Sequence, residues 1–193
     1  MIEPSIVLIP IGYIDESLLE SLQRELGLIF HLRIKVSNPL PVPERAYNPR
    51  RQQYHSSAFL KELEKRCFAG KRSKCLGITS LDLFTNNLNF IFGQAIIDGD
   101  VCVISTHRLR PEFYGQPPNS KIFVDRTVKE AVHELGHSFG LIHCPNSLCV
   151  MHFSNHILDT DRKSKNFCER CESYILEKLI ISKKQQLDKL AKK

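Results

Sequence analysis

The chain has 193 residues, of which 42% are hydrophobic and 25% are charged, and its formal net charge is +6. This length suits one core with a small appendage, so we expect a single domain over residues 1–193. No apolar run approaches the roughly 18 residues that a membrane span requires, so we expect no membrane partner. The densest basic run, residues 182–193, is typical of the solvated end of a helix, and we therefore expect no nucleic-acid partner.

The N-terminal sequence and the cysteine content indicate the cellular compartment in which the protein works. The opening residues lack a basic leader and a small-residue cleavage site, so we predict no secretory signal and a cytoplasmic location. Seven cysteines occur, an odd number, and four of them lie within residues 144–171 beside histidines. Without a secretion signal this arrangement favours metal ligands over disulfides. The other three lack a matching partner spacing and are expected in the core or at the surface: Cys67, Cys75 and Cys102.

Strand and helix patterns alternate through the first part of the chain. An apolar run at residues 5–11 predicts a buried first strand. Asp15 is placed to cap a helix whose apolar residues keep helical spacing up to Gly27, where we expect the helix to stop. Residues 31–37 alternate as a strand does, whereas the proline-rich residues 38–54 predict a long surface loop.

The second helix is predicted to begin at Ser56 or Ser57 and to end at about Cys67. Three strand candidates follow, the last two joined by an Asp-Gly-Asp turn: residues 75–81, 90–97 and 101–105. Alternating strands and helices followed by a hairpin predict an α/β fold of the α+β type. Its sheet should be mostly parallel with one antiparallel edge strand.

A histidine pair follows a helix start at Asn119 or Ser120. His133 and His137 are four residues apart, so on a helix both imidazoles project from one face and can reach one metal ion. Glu134 is rotated about 100° from that line, as suits a residue that exchanges protons with a metal-bound water. A helical projection places the apolar residues opposite the histidines: Val128, Val132, Leu135 and Phe139.

A third ligand is expected beyond Gly140. A glycine can take a positive φ and end the helix, so the chain can turn and bring His143 to the same ion. Asp159 and Asp161 stay as alternatives, because they lie at the longer spacing that other zinc peptidases use for an acidic ligand. Three protein ligands leave a fourth position for water.

The histidine motif resembles the long zinc-binding signature of the metzincin metallopeptidases: His133-Glu134-x-x-His137-x-x-Gly140-x-x-His143. The residues that follow look like the archaemetzincin branch: Cys144, Cys149, Met151, Cys168 and Cys171. The resemblance implies a mixed, twisted five-stranded sheet, a backing helix and an active-site helix in an upper subdomain of about residues 1–140. A small zinc-stapled subdomain of about residues 141–193 follows. It also implies that Met151 forms the Met-turn below the histidines; an ordinary core methionine is the alternative.

One position departs from some members of that family. They carry a tyrosine two residues after the methionine, where this chain has Phe153. Phenylalanine has no donor, so oxyanion stabilisation must come from the metal, from backbone N–H groups or from another side chain. The side-chain candidates are His152, His156 and Tyr114.

The four clustered cysteines form two pairs. Cys144 and Cys149 have four residues between them, and Cys168 and Cys171 have two, close to the arrangement of a structural zinc site. Four thiolates close the coordination sphere, so we expect this ion to be structural. A Cys168–Cys171 redox pair and unbound thiols are the alternatives. Since His143 and Cys144 are neighbours, the structural ion should also fix the third catalytic ligand.

The leading hypothesis is a zinc metallopeptidase with two zinc ions per chain, one catalytic and one structural. A zinc-bound water, deprotonated by Glu134, would attack a peptide carbonyl. The resemblance implies that the edge strand, residues 90–97, pairs with an extended peptide or protein substrate, with aminopeptidase-like use of short peptides as one form. We expect a monomer. The alternative is a zinc-holding binding or regulatory module with little turnover, which would not require Glu134.

Overall fold

The structure is a computed structural model that describes residues 4–67 and 73–190, with side chains described up to residue 181. Its central sheet is mixed and contains, in spatial order, β2 (Arg33–Val36), β1 (Ser5–Ile11), β5 (Ser73–Thr79), β9 (Val101–Ser105) and β8 (Gly93–Ala95). Neighbouring strands are parallel except β8 and β9, which are antiparallel. The predicted five-stranded sheet with one antiparallel edge strand is confirmed.

Helices cover both faces of this sheet. They are α1 (Glu16–Phe30), α2 (Ser56–Cys67), α3 (Ser120–Ser138), α4 (Ile157–Arg162) and α5 (Glu169–Leu190). Side chains of β1 alternate between two cores: Ile6 and Leu8 pack with α1 and α3, whereas Ile9 and Ile11 pack with α2. Within the described residues, no helix combines the length and apolar character needed to cross a bilayer.

Residues 38–54 were predicted to be a surface loop, and this prediction is wrong in part, because short strands interrupt the loop. A second, four-stranded sheet includes part of them, in the order β3 (Tyr47–Asn48), β4 (Gln53–His55), β6 (Leu83–Thr85) and β7 (Leu88–Ile91). The strands are too short to show an alternating pattern in the sequence. They are fixed by pairing with residues about thirty positions away, because Tyr54 pairs with Leu83.

The predicted edge strand, residues 90–97, is divided between the two sheets. Its first part belongs to β7, and Gly93–Ala95 alone forms β8 beside β9. Phe92 lies between the two strands and is buried with Leu109 and Ile157. It stands where the chain passes from the second sheet to the central sheet. The turn at residues 98–100 connects β8 to β9 as predicted.

Helix α1 begins as predicted and ends later. The Asp15 side chain accepts a hydrogen bond from the Ser17 backbone N–H at 2.8 Å. The helix continues through Gly27 to Phe30, and His31 ends it in the left-handed conformation. Phe30 is buried and stacks on Phe139 with ring centroids 5.5 Å apart, so tertiary packing outweighs the low helix propensity of glycine.

Cys67 and Cys75 form a disulfide, which corrects the expectation that neither has a partner. Cys67 is the last residue of α2 and Cys75 lies in β5, and their Cα atoms are 6.3 Å apart. Their approach depends on how α2 packs against the sheet, and sequence spacing does not encode that distance. Cys102 is a buried core thiol, as expected.

Candidate active site

Helix α3 carries the histidine pair and docks on the central sheet. It begins where the Asn119 side chain accepts a hydrogen bond from the Ile122 backbone N–H at 3.1 Å. The predicted apolar stripe is confirmed, because all four residues lie in the main core: Val128, Val132, Leu135 and Phe139. The helix therefore packs through one side and presents the histidines on the other.

Three histidines converge at the end of this helix. One ligand nitrogen each from His133, His137 and His143 lies within 4.8 Å of the other two. The first two are one turn apart on α3, and the third returns from the segment after it. Gly140 permits that return, because its φ of +102° is one that side-chain-bearing residues rarely adopt.

The two aspartates considered as alternative ligands have other partners. Asp161 forms a bidentate ion pair with Arg126, with N···O distances of 2.7 and 2.8 Å. Asp159 accepts hydrogen bonds from the backbone N–H groups of Asn155 and His156. Among the described residues, neither aspartate joins the histidine cluster.

The hydrogen bonds of the histidine cluster suit a bound cation. Nδ1 of His133 donates to the Val150 carbonyl at 2.8 Å, and Nδ1 of His137 donates to the Leu141 carbonyl at 2.7 Å. A carbonyl only accepts, so each Nε2 presents a lone pair, and the two Nε2 atoms are 3.1 Å apart. Two lone pairs this close repel unless a cation lies between them. Nitrogens bound to one zinc ion in a tetrahedral site are separated by about 3.3 Å, so the residues fit zinc.

Partial or complete desolvation favours the neutral, metal-binding form of the three imidazoles. Desolvation lowers the pKa of His133 well below its ordinary value. It also lowers the pKa values of His137 and His143, and at His143 the neighbouring His137 adds to the effect. The side chains are therefore prepared to act as ligands at neutral pH.

Met151 lies beneath the histidine helix, fully buried. Its sulfur packs against the backbone of Gly136, where a Cβ atom would overlap it. The carbonyl of Met151 accepts a hydrogen bond from the Cys144 backbone N–H at 2.9 Å. Met151 thus joins the helix to the segment that follows His143.

Glu134 is enclosed between α3 and the edge strand. Burial raises the pKa of its carboxyl well above the ordinary value, and nearby Glu130 adds to the rise while Lys163 opposes it. Gly93 of β8 lies directly against the side chain, because a Cβ there would be 2.5 Å from Glu134 Cγ. A glycine is therefore required for this close approach.

A cleft of about 520 Å³ lies over the histidines and Glu134. It is lined by residues of β7 and β8, of α3, and of the segment 153–155. Strand β8 runs alongside α3, because Gly93 lies beside Glu134 and the Asp98 backbone N–H donates to the His137 carbonyl at 3.0 Å. Since β8 ends the sheet among residues 4–67 and 73–190, one edge of its backbone has no strand partner there and can pair with an extended chain.

A buried ion pair lies one turn before Glu134. Nζ of Lys163 is 3.1 Å from Oε1 of Glu130, and the two side chains are 0% and 3% exposed. The same oxygen accepts a hydrogen bond from the Thr160 hydroxyl at 3.1 Å. These contacts join α3 to α4, which follows the cleft wall at residues 153–155.

The four predicted cysteines form a second cluster. One sulfur each from Cys144, Cys149, Cys168 and Cys171 lies within 4.8 Å of the others. The sulfurs of Cys144 and Cys168 are 3.8 Å apart, far beyond a disulfide bond and close to the ~3.8 Å expected between thiolates of one tetrahedral zinc site. The cluster therefore fits a zinc ion.

Hydrogen bonds prepare part of this cluster for metal binding. The Cys171 backbone N–H lowers the pKa of Cys168 to about 7. Burial raises the pKa values of Cys149 and Cys171, so these two thiols hold their protons more tightly. Nη2 of Arg170 donates to the Cys144 sulfur at 3.4 Å, which places a positive charge beside the thiolates.

Comparison with known proteins identifies the family of this chain. Residues 16–177 match the model of peptidase family M54. The archaemetzincin of Thermococcus kodakarensis is 43% identical over 182 residues, covering 90% of this chain and 96% of its own. The chain belongs to the archaemetzincin family. It is therefore a zinc metallopeptidase, and its resemblance to that family is confirmed.

Solved structures of archaemetzincins share the fold. The archaemetzincin of Methanopyrus kandleri superimposes with a TM-score of 0.81 at 37% identity, covering 92% of this chain and 96% of that one. A zinc-dependent peptidase from Methanocorpusculum labreanum also gives a TM-score of 0.81, at 30% identity, covering 88% and 99%. The predicted α+β fold is confirmed over most of the chain.

In this archaemetzincin the three side chains considered for oxyanion stabilisation lie outside the described cleft lining. His152 Nδ1 donates to the Cys144 carbonyl at 2.9 Å, and the Tyr114 hydroxyl donates to the Arg108 carbonyl at 2.9 Å. His156 is exposed beside Asp159. Phe153 lines the cleft and packs on His143, with ring centroids 4.9 Å apart.

Sequence reasoning missed Gly93, Glu130 and Lys163. Glu130 could have been found, because it precedes His133 by three residues and so projects toward the ligand face of α3. Gly93 and Lys163 had no local signal, since their partners on α3 are more than thirty residues away in sequence. Their roles depend on tertiary contacts alone.

Proposed function

We propose that His133, His137 and His143 hold the catalytic zinc of this metallopeptidase and that Glu134 is its general base. The site would lie between an upper subdomain of about residues 1–140 and a C-terminal subdomain of about residues 141–193. The observation that carries the proposal is the convergence of the three histidines beside Glu134 in an open cleft. The predicted monomeric state, cytoplasmic location and aminopeptidase-like use of short peptides belong to the same proposal.

The chemistry divides between the metal and the protein. Zinc, when bound, polarises a carbonyl and lowers the pKa of water. The Val150 and Leu141 carbonyls hold the His133 and His137 rings in the tautomer that directs Nε2 to the metal. These hydrogen bonds orient two of the three ligands before a substrate enters.

Glu134 would take a proton from the attacking water and give it to the leaving amine. Glu134 acts as a base from its ionised form, and burial raises its pKa, which strengthens the carboxylate as a base and helps it hold the proton between the two transfers. Gly93 holds the carboxylate against α3 and limits its rotamers. The buried position also excludes bulk water from the proton-transfer path.

An extended peptide is proposed to pair with the free edge of β8. Backbone hydrogen bonds to Gly93–Ala95 would place its carbonyl groups above the histidines, since β8 runs alongside α3. Apolar side chains border the cleft near the metal ligands: Ile97, Ile142 and Phe153. These contacts would align the scissile bond without contributing to the chemistry.

The cysteine cluster is proposed to hold a second, structural zinc ion. Its four sulfurs would fill the coordination sphere and leave no position for water or substrate. The ion would fix Cys144 beside His143, and Cys149 beside Val150, whose carbonyl orients His133. The structural site thus supports two of the three proposed catalytic ligands.

The test combines metal analysis with cleavage of a peptide library. We expect two zinc equivalents per chain and cleavage that slows at least about 100-fold in Glu134→Gln, the lower bound for loss of a general base. Glu112→Gln makes the same chemical change at an exposed position and should leave the rate unchanged. Equal, negligible cleavage by wild type and Glu134→Gln would instead indicate a zinc-holding module with little turnover.

A further inference from the structure

A basic surface lies on the second sheet, outside the cleft. We define the arginine face as Arg45, Tyr47, Arg50, Arg51, His55 and Phe84, most of which line a depression of about 400 Å³. Residues 44–57 contain three arginines and a single acidic residue, Glu44. The formal charge of this segment is therefore +2.

The arginines of this face are not neutralised. Among the ion pairs of residues 4–67 and 73–181, none involves Arg45, Arg50 or Arg51. Arg45 and Arg50 are exposed. The carboxylate of nearby Asp82 is held by Arg108 through two hydrogen bonds of 2.8 Å. The exposed guanidinium groups of Arg45 and Arg50 suit carboxylates, which an arginine binds in a bidentate manner.

Arg51 is held in a fixed position within the face. Its guanidinium carbon lies 4.3 Å from the centre of the Phe84 ring, and its Nε donates to the Gln53 side chain at 2.9 Å. His55 packs edge-on against the same ring, with centroids 5.0 Å apart. These contacts orient a charged group without cancelling its charge, so less side-chain entropy is lost when it binds an anion.

The arginine face adjoins the proposed substrate cleft. Nη2 of Arg51 donates to the Asn89 carbonyl at 2.9 Å, and the Gln53 amide donates to the same oxygen at 2.9 Å. Leu88 and Asn89, in β7, line the end of the cleft near Phe90. A peptide that leaves the cleft over β7 therefore reaches Arg51 within a few residues.

We propose that the arginine face is an exosite for an acidic segment of the peptide substrate, outside the residues that flank the scissile bond. The inference rests on the proposed peptidase function. A peptide is favoured over a nucleic acid because the face continues from a cleft whose free strand edge suits a polypeptide. Substrates with acidic residues beyond the cleavage site would then be preferred over neutral ones.

The test uses one cleavable peptide core extended by four glutamates or four glutamines, with the tail on either end in turn. When the tail is on the end that reaches the arginine face, we expect kcat/KM at low salt to be about tenfold higher for the glutamate peptide than for the glutamine peptide, because KM is lower. In 0.5 M NaCl the two peptides should give equal values. The variant Arg45→Gln/Arg50→Gln should abolish the preference and leave cleavage of the glutamine peptide unchanged. The matched control Arg33→Gln/Lys35→Gln, on the far edge strand β2, should keep the preference for the glutamate peptide.

Binding separates the exosite from turnover. Fluorescence anisotropy with a labelled glutamate-tailed peptide should show salt-sensitive binding to Glu134→Gln, weakened about tenfold by the added Arg45→Gln/Arg50→Gln changes. If wild type cleaves neither peptide yet this binding holds, the proposed catalytic function fails for these peptides, and the arginine face stands as a binding site for acidic peptides. Equal affinity for glutamate and glutamine tails overturns the exosite, as does selective binding of a single-stranded oligonucleotide with no preference between the tails.

Discussion

Gly93 of the edge strand lies against Glu134 so closely that a Cβ atom at position 93 would be 2.5 Å from Cγ and 2.7 Å from Oε1 of the glutamate. The contact joins the strand proposed to bind substrate to the proposed general base. The position of the carboxylate is therefore set by the edge strand as well as by its own helix.

Gly93→Ala should reduce peptide cleavage about 100-fold with zinc content unchanged. The added methyl group displaces the carboxylate, and a shift of about 1 Å in a reacting group costs a factor of that order. The measurement is kcat/KM beside metal analysis. Gly27→Ala is the control, because its nearest neighbouring atom would be 3.7 Å away, and an unchanged rate in Gly93→Ala would contradict the proposed role of Glu134.

Lys163→Met should destabilise the protein by about 3–5 kcal/mol. The change leaves Glu130 buried without its cationic partner, and an uncompensated buried charge carries a penalty of this size. The double variant Glu130→Gln/Lys163→Met should recover much of the loss, because it removes both charges. Urea unfolding of the zinc-loaded wild type, of Lys163→Met, of Glu130→Gln and of the double variant gives the four free energies of unfolding, and additive losses would show that the two residues do not interact.

Cys149→Ser should lower zinc at both sites. Its sulfur belongs to the cysteine cluster, and the next residue, Val150, supplies the carbonyl that orients His133. Metal analysis should therefore show fewer than one zinc equivalent per chain, with activity reduced in parallel. Cys102→Ala, a buried cysteine outside the cluster, should retain both ions. Loss of one equivalent with full activity in Cys149→Ser would exclude the coupling.

Acid should release metal from the cysteine cluster before the histidine cluster. Burial raises the pKa values of Cys149 and Cys171 above 9.0, so each thiol exchanges a proton for the metal near neutral pH. Affinity then falls about tenfold per thiol for each unit that the pH falls, or about 100-fold for these two between pH 7.5 and 6.5.

The histidine cluster should lose less than about tenfold over the same range. Desolvation lowers the pKa values of His133, His137 and His143 below 6.5, with neighbouring His137 adding to the effect at His143, so the neutral form of each predominates as the pH falls to that value. Chelator titration of the cobalt-substituted protein follows the sites separately, because thiolate ligands add a charge-transfer band that imidazoles lack. Release of metal from the histidine cluster before the cysteine cluster would contradict the expected order.

Local patterns were sufficient to predict much of the fold and the residues of the candidate site. The three histidines and four cysteines stand within 39 consecutive residues, 133–171, and helical periodicity alone places His133 and His137 on one face opposite the apolar stripe. Strand β9 and the turn before it were likewise predicted from the sequence, whereas residues 90–97 were predicted as one strand and belong to two. The structure then brings these residues into two separate clusters.

Contacts between distant segments were decided only by the tertiary structure. The short strands β3 and β4 form because they pair with partners elsewhere in the chain, and Phe30 extends α1 past Gly27 because Phe139 is there to pack on. Local sequence patterns identified the side chains of both metal-site clusters, since His133 and His137 keep the period of one helix and the third histidine and the cysteines follow at the spacing of known zinc motifs. Only packing decided that Gly93 confines Glu134 and that Lys163 neutralises Glu130, because neither pair is linked by any local spacing.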